Sequence, residues 1–223
     1  MEKCYVAGAS GLIGNELIQA LFLDPQVKRI FALGRRSLKL QNHKLIEKIT
    51  NFKDLESFPL NSELISHAFC CLGTTIKKAG SRDAFWEIDH DTVIHFAHFC
   101  KNQGVKHFII VSSAGANPKS TILYSRVKGL IERDLEAIGF ERLTILRPSI
   151  LLGERKEGRP LEKVGQYLGK ILAPFFVGPL LDFCPIEAKV VARKMKELSF
   201  SHLNKEKNQD KYFIEIISNK DIF

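Results

Sequence analysis

A chain of 223 residues with 45% hydrophobic content suffices for one sizeable α/β domain with a small C-terminal extension. No window reaches the apolar length that crosses a bilayer, and Lys3 already opens the first predicted strand, so a separate targeting region is not expected. The formal charge of +8 favours anionic ligands, whether a nucleotide, nucleic acid or an acidic membrane, without choosing among them. The five cysteines, Cys4, Cys70, Cys71, Cys100 and Cys184, are odd in number and sit mostly in apolar runs, which reads as reduced, buried thiols of a cytoplasmic protein. Cys70–Cys71 is not a CxxC pair, and no Cys/His spacing suggests zinc.

The first predicted strand, Lys3–Ala7, runs into Gly8, Gly11 and Gly14, spaced G-x-x-G-x-x-G. A helical pattern follows from Leu12 to Leu23, with Ile13, Leu17, Ala20 and Leu21 on one face. In that setting Gly8 turns the chain off the strand, Gly11 lets backbone approach a pyrophosphate, and Gly14 lets the helix lie close to the sheet. The helix N-terminus then points free N–H groups at the phosphates. Asp24–Pro25 stops the helix. Val27–Leu33 is the second strand and ends in Gly34–Arg35–Arg36–Ser37. In a dinucleotide fold the residue about twenty positions past the glycines faces the adenosine ribose, and a carboxylate there selects NAD through the 2′-OH. Here the place falls on Arg35 and Arg36, whose guanidinium forks match a 2′-phosphate. The motif points to NADPH over NADH.

Lys44–Thr50 reads as a third strand; Asn51 after it is either an adenine ligand or the cap of the next turn. Glu63–Cys71 holds the fourth strand, with Ala68–Cys71 as its buried end. In the following Leu72–Gly73–Thr74–Thr75, Gly73 lets the chain pass close to a bound ribose and phosphate. Ile76–Arg82 is basic and reads as a mobile surface loop. Asp83–Gln103 is predicted as one long helix closed by Gly104, with Val93, Phe96, Ala97 and Cys100 facing inward. Asp91, His95 and His98 share a helical face, but no further ligand completes a metal site, and solvated or capping histidines are expected. Val105–Val111 is the fifth strand and ends in Ser112–Ser113–Ala114–Gly115.

A second constellation follows at Tyr124–Ser125–Arg126–Val127–Lys128. Ser120 or Thr121 is the expected cap of a helix that runs to about Ile138 and stops at Gly139. Val127, Leu130, Ile131 and Leu135 face the core. Tyr124 and Lys128 are four apart and share a face, with Cβ atoms roughly 5–6 Å from each other. A free tyrosine titrates at about 10, and a neighbouring ammonium together with a cationic nicotinamide favours the phenolate. Tyr124 is thereby a candidate general acid/base, with Ser113 as the group that bonds the substrate oxygen.

Leu143–Leu146 is the sixth strand. Pro148 then turns the chain at the sheet edge where ligands of open parallel sheets sit. Beyond the charged loop Glu154–Arg159 the pattern changes. Leu161–Leu172 is helical, and Ala173–Leu181 is strongly apolar, suited to a pocket wall, a subunit contact or a membrane surface. Pro185–Leu198 reads as another helix, Asn204–Lys211 as a solvated linker and Tyr212–Ile217 as the last strand. The expected architecture is a single domain over 1–223: a Rossmann-type, doubly wound, mostly parallel sheet with helices on both faces. Residues from about 150 onward form its substrate-side lobe and last strand.

Gly8–Gly14, Gly34–Arg36, Ser112–Ser113, Tyr124–Lys128 and Arg147–Pro148 together resemble an atypical or extended short-chain dehydrogenase/reductase. More narrowly, Phe69–Cys70–Cys71–Leu72–Gly73–Thr74–Thr75, Lys78–Ala79–Gly80, Lys106–His107–Phe108 and Tyr124 with Val127–Lys128–Gly129 resemble the Tat-interacting-protein oxidoreductase family, over about residues 1–195. The resemblance implies an NADPH-binding Rossmann fold. Ser10, Gly11, Leu12 and Ile13 would hold phosphates, and Arg35 and Arg36 the 2′-phosphate. Leu72 and Gly73 would lie along the cofactor. Tyr124 would be the proton donor, Lys128 the nicotinamide-ribose ligand and Arg159 a further contact. One departure stands out: short-chain dehydrogenases often carry Asn in the helix after strand four, and the comparable place here is Asp89.

Three functions compete. The first is NADPH-dependent reduction of a carbonyl substrate, and an intact Tyr124/Lys128 pair favours it. The second is a non-catalytic NADPH-binding regulator that reports to a protein partner, since relatives in the narrower family are linked to partners and regulation. The third, a lipid-handling peripheral membrane protein, ranks lowest, because a pocket wall or homodimer face explains the apolar Leu161–Leu181 equally well. No nucleic-acid partner and no transmembrane segment are expected.

Overall fold

A computed structural model describes residues 1–53, 55, 64–153, 182–200 and 212–223. Among these, seven strands form one sheet: β1 (Glu2–Ala7), β2 (Val27–Gly34), β3 (Leu45–Ile49), β4 (His67–Cys70), β5 (His107–Val111), β6 (Arg142–Arg147) and, after the short β7 (Leu151–Leu152) and β8 (Ile186–Glu187), β9 (Phe213–Ser218). Their order is β3-β2-β1-β4-β5-β6-β9, and every pairing is parallel. Parallel strands covered on both faces read as continuous apolar runs. Cys4–Ala7 of β1 and all of β4 and β5 are buried in this way. The order reverses between β1 and β4, so a crevice opens beyond their carboxyl ends, the usual ligand position in such a sheet.

Helices cover both faces. On one lie α1 (Leu12–Phe22) and α6 (Ala188–Phe200), whose Leu17, Leu21, Val191 and Met195 pack with Val6, Phe69 and Ile109 of the strands. On the other lie α4 (Thr92–Asn102) and α5 (Leu123–Ile138), which bring Phe96, Ala97, Val127 and Ile131 onto Tyr5, Ala68 and Phe108. The elements agree with the sequence pattern in type and order: a doubly wound Rossmann sheet, with its seventh strand supplied by the last dozen residues.

Four local features depart from expectation. The basic stretch after Thr75 contains a one-turn helix, α2 (Ile76–Ala79), whose Lys78 N–H donates to the Thr75 hydroxyl. The residue that caps α5 is Ile122, without a side-chain bond; Ser120 instead accepts from the Ile122 N–H at 3.1 Å. Ile186–Glu187 pairs with Leu151–Leu152 as β8, and the helix starts only at Ala188. Finally, the long helix expected over Asp83–Gln103 is broken into α3 (Arg82–Trp86), a π-helical turn at Glu87–Asp91, and α4. The Thr92 N–H bonds the Glu87 carbonyl five residues back, and its hydroxyl donates to the same oxygen at 2.8 Å. A π-turn admits one extra residue into the coil. It leaves Asp89 completely buried.

The amino-terminal edge of the sheet is closed by a histidine network. His67 of β4 packs its ring 5.6 Å from His107 and 5.5 Å from Phe200. Its Nε2 meets the Ser199 carbonyl at 2.8 Å, its Nδ1 the Ser66 hydroxyl at 2.8 Å, and Ser66 donates on to the Glu2 carboxylate. The end of α6 is thus tied to β4 through one imidazole. Burial pulls the His67 pKa below the ordinary 6.5, and this outweighs the opposing pull of Glu2. A histidine that titrates lower when folded gives its full stabilisation above the unfolded value, and loses it as pH falls through that value toward the folded one. Thermal melts are expected to show Tm falling once the pH drops below 6.5, with a shallower decline for His67→Asn. Parallel curves for the two proteins would contradict this.

Candidate active site

Three loops leave the carboxyl ends of β1, β4 and β5 and meet at the crevice. In the first, Gly8 adopts a left-handed φ of 79°. A Cβ there would lie 2.5 Å from the Cys71 carbonyl at the end of β4, and one on Gly14 would lie 2.2 Å from the Gly8 oxygen. No side chain fits either place, so Gly14 packs the first turn of α1 onto the glycine loop itself. The loop closes on a 2.9 Å bond from the Gly11 N–H to the Gly8 carbonyl. Gly11 caps α1 with no side-chain bond, and Ser10 and Gly11 are exposed. The open helix end and the bare backbone fit a diphosphate. At the end of β2, Arg35 and Arg36 are exposed, and among the described residues neither meets a carboxylate. Glu47, on the adjacent β3, is occupied by the Leu38 N–H at 3.0 Å. Asn51 accepts from the Lys53 N–H at 2.9 Å, so it caps its turn.

The loop after β4 carries Leu72, Gly73 and Thr74. Gly73 is exposed on one side. On the other, a methyl in place of its hydrogen would lie 3.5 Å from Asp89 Oδ1 and 3.6 Å from Lys128 Nζ. Lys128 is therefore a buried cation one atom layer beneath the cleft floor. Its ammonium lies 2.8 Å from Asp89 Oδ1, with side-chain exposures of 5% and 0%. The approach is an ion pair outside hydrogen-bonding angles, since Oδ1 has no aligned donor. Asp89 Oδ2 accepts from the Thr74 N–H at 2.7 Å. Burial alone would pull the Lys128 pKa down; the Asp89 carboxylate, with help from Tyr124, outweighs it and holds the ammonium above its ordinary value. The same ammonium stands 5.9 Å from the Tyr124 ring centroid, so the two residues picked out by their four-residue spacing do meet. Phe85 of α3 also packs against that ring, with centroids 5.9 Å apart.

The loop after β5 divides its two serines. Ser112 is buried and donates to Glu132 Oε1 at 2.5 Å. Glu132 also receives Arg147 through Nε at 3.0 Å and Nη2 at 2.5 Å. The hydrogen bonds that Arg147 donates to Glu132 raise its pKa. This bidentate pair joins α5 to the end of β6, and Ser112 adds the end of β5. Ser113 is half-buried, and its hydroxyl turns to the Ala114 carbonyl at 3.2 Å. Gly129 lets α5 approach the loop: a Cβ there would fall 2.2 Å from the Pro118 nitrogen. Cys70, beside Lys128, is pushed up to about 12 by burial, which makes it a packing thiol. Sequence reasoning missed Glu132, Phe85 and the contact made by Asp89. Asp89 did carry a signal, because it stands midway between Phe85 and Val93 in an otherwise apolar inward stripe. Arg159 and the apolar Leu161–Leu181 lie outside the described residues. Among the described residues no cluster of His, Cys, Asp and Glu is arranged to hold a metal, and no helix is long and apolar enough to cross a membrane.

A glycine-lined helix end at the sheet's switch point, with a buried lysine beside a tyrosine across the crevice, defines a nucleotide-binding protein of the dehydrogenase type. The chain belongs to the NAD dependent epimerase/dehydratase family, whose model matches residues 4–174. Within it the relatives are specific. Protein HTATIP2 of Rattus norvegicus is 35% identical over 184 residues, covering 81% of this chain and 72% of that one. Protein FMP52, mitochondrial, of Candida albicans is 34% identical over 210 residues, covering 91% and 90%. Solved structures share the fold: MoeE5 in complex with UDP-glucose and NAD superimposes with a TM-score of 0.67 at 18% identity, covering 97% of this chain and 76% of that one. A short chain dehydrogenase family protein from Francisella tularensis gives 0.66 at 12%, covering 99% and 98%.

Proposed function

We propose that the protein is an NADPH-dependent reductase of a carbonyl substrate, with Tyr124 as proton donor. The observation that carries this reading is the placement of the Lys128 ammonium, buried beneath Gly73 and 5.9 Å from the Tyr124 ring. A module that only bound nucleotide would have no use for a phenol held there. The backbone of Ser10–Ile13 receives the diphosphate, Gly8 and Gly14 fix that backbone, Arg35 and Arg36 take the 2′-phosphate, and Leu72 and Gly73 line the ribose. When bound, the nicotinamide supplies a hydride to the carbonyl carbon. Tyr124 Oη gives its proton to the carbonyl oxygen, Lys128 binds the nicotinamide ribose and favours the resulting phenolate, and Ser113 orients the oxygen. The buried thiols suit a reducing cytoplasm. The relatives named FMP52 carry "mitochondrial" in their names, a label of those proteins. The name HTATIP2 supports a protein partner beside the small substrate.

Isothermal titration is expected to give NADPH the tighter binding, and replacing Arg35 and Arg36 together by Ala is expected to weaken it roughly 10–100-fold with little change for NADH. Equal affinities of the wild type for the two nucleotides would contradict the assignment. For a carbonyl substrate found by following NADPH absorbance, Tyr124→Phe is expected to lower kcat by about 10²–10⁴-fold and leave NADPH affinity nearly unchanged. Equal loss of both would remove Tyr124 from its role.

A further inference from the structure

We infer that Asp89 is the positioning residue of this site: delivered inward by the π-turn, it fixes the Lys128 ammonium and the Gly73–Thr74 peptide relative to each other. The inference rests on the nucleotide reading above and adds to it a residue whose charge, not merely its shape, is required. Asp89 is wholly buried and divides its two oxygens between the two walls of the cleft, Oδ2 to the Thr74 N–H at 2.7 Å and Oδ1 to Lys128 Nζ at 2.8 Å. An asparagine of the same shape could still accept from Thr74. Its amide N–H₂ would then face an ammonium, donor against donor.

The π-turn is held to α5 a second time by the next residue. His90 stacks on Trp86 at 4.6 Å and bridges Asp91 at 2.8 Å to Asp134 of α5 at 2.9 Å. Successive residues of one turn thus grip α5 on its inner and outer sides, which sets the depth at which Asp89 meets Lys128. The groups facing the ammonium are Asp89 from the π-turn, Tyr124 from its own helix and Cys70 from β4. Glu132, one turn further along α5, is taken by Arg147 and Ser112. Asp89 is therefore the carboxylate that compensates Lys128, and without it burial favours the neutral amine.

A double-mutant cycle tests the pairing without nucleotide. Asp89→Asn and Lys128→Met are each expected to lower Tm by roughly 6–20 °C, and the double variant by clearly less than the sum. If Asp89→Asn alone fails to fold, recovery of folding in the double variant gives the same answer. The positioning role is read from NADPH affinity against pH. Wild type is expected to hold its affinity between about pH 7 and 9, where the 2′-phosphate is fully ionised, whereas Asp89→Asn loses affinity progressively relative to wild type across that range as Lys128 gives up its proton. Additive losses of Tm, or an Asp89→Asn affinity that tracks wild type at every pH, overturn the proposal. A wild type that binds no NADPH overturns the nucleotide reading instead, and the cycle still decides the pairing.

Discussion

Everything at this site hangs on a backbone-to-backbone contact. Gly8 lies so close to the end of β4, and Gly14 so close to Gly8, that a single Cβ at either place would overlap main-chain atoms at 2.5 and 2.2 Å. Such overlaps are not relieved by moving a flexible side chain. They would force β1, β4 and α1 apart at the point where the sheet changes direction. With glycine in both places, the amino end of α1 sits directly over the crevice. The positive end of its dipole and its unpaired N–H groups then become a fixed feature of the fold.

The polar interior is built around the same crevice. Lys128 and Glu132 stand one turn apart on α5, both buried, and each has its own counter-ion: Asp89 for the first, Arg147 for the second. A buried charge without a partner is costly, and removing one member of a pair leaves that cost exposed. The two pairs therefore pin α5 to the π-turn on one side and to β6 on the other. Tyr124 rides on the helix so fixed, in contact with both the Lys128 ammonium and the Phe85 ring. Charge balance here serves geometry as much as stability.

Most of this frame was legible in the sequence, because the signals were local. Apolar runs in β1, β4 and β5, the glycine spacing and the step of four from Tyr124 to Lys128 each follow from a repeat distance along one element. The π-turn was not legible. Asp89 lies four residues from both Phe85 and Val93, and Val93, Phe96 and Ala97 keep their period beyond it, so the inserted residue leaves no break in the inward stripe for the sequence to show. Ser113 is the serine that the sequence singles out after β5, but the burial of its neighbour Ser112 depends on Glu132 of a distant helix and leaves no local trace. The roles of β7 and β8 were equally hidden, since a two-residue pairing between Leu151 and Ile186 leaves no periodic trace.

The most direct measurement is a crystal structure of the protein grown with NADPH. The diphosphate is expected on the backbone of Ser10–Ile13, the 2′-phosphate between Arg35 and Arg36, and the nicotinamide ribose within hydrogen-bonding distance of Lys128. A cleft that stays empty above Ser10–Ile13 at saturating nucleotide, or a nucleotide bound elsewhere on the surface, would contradict this placement.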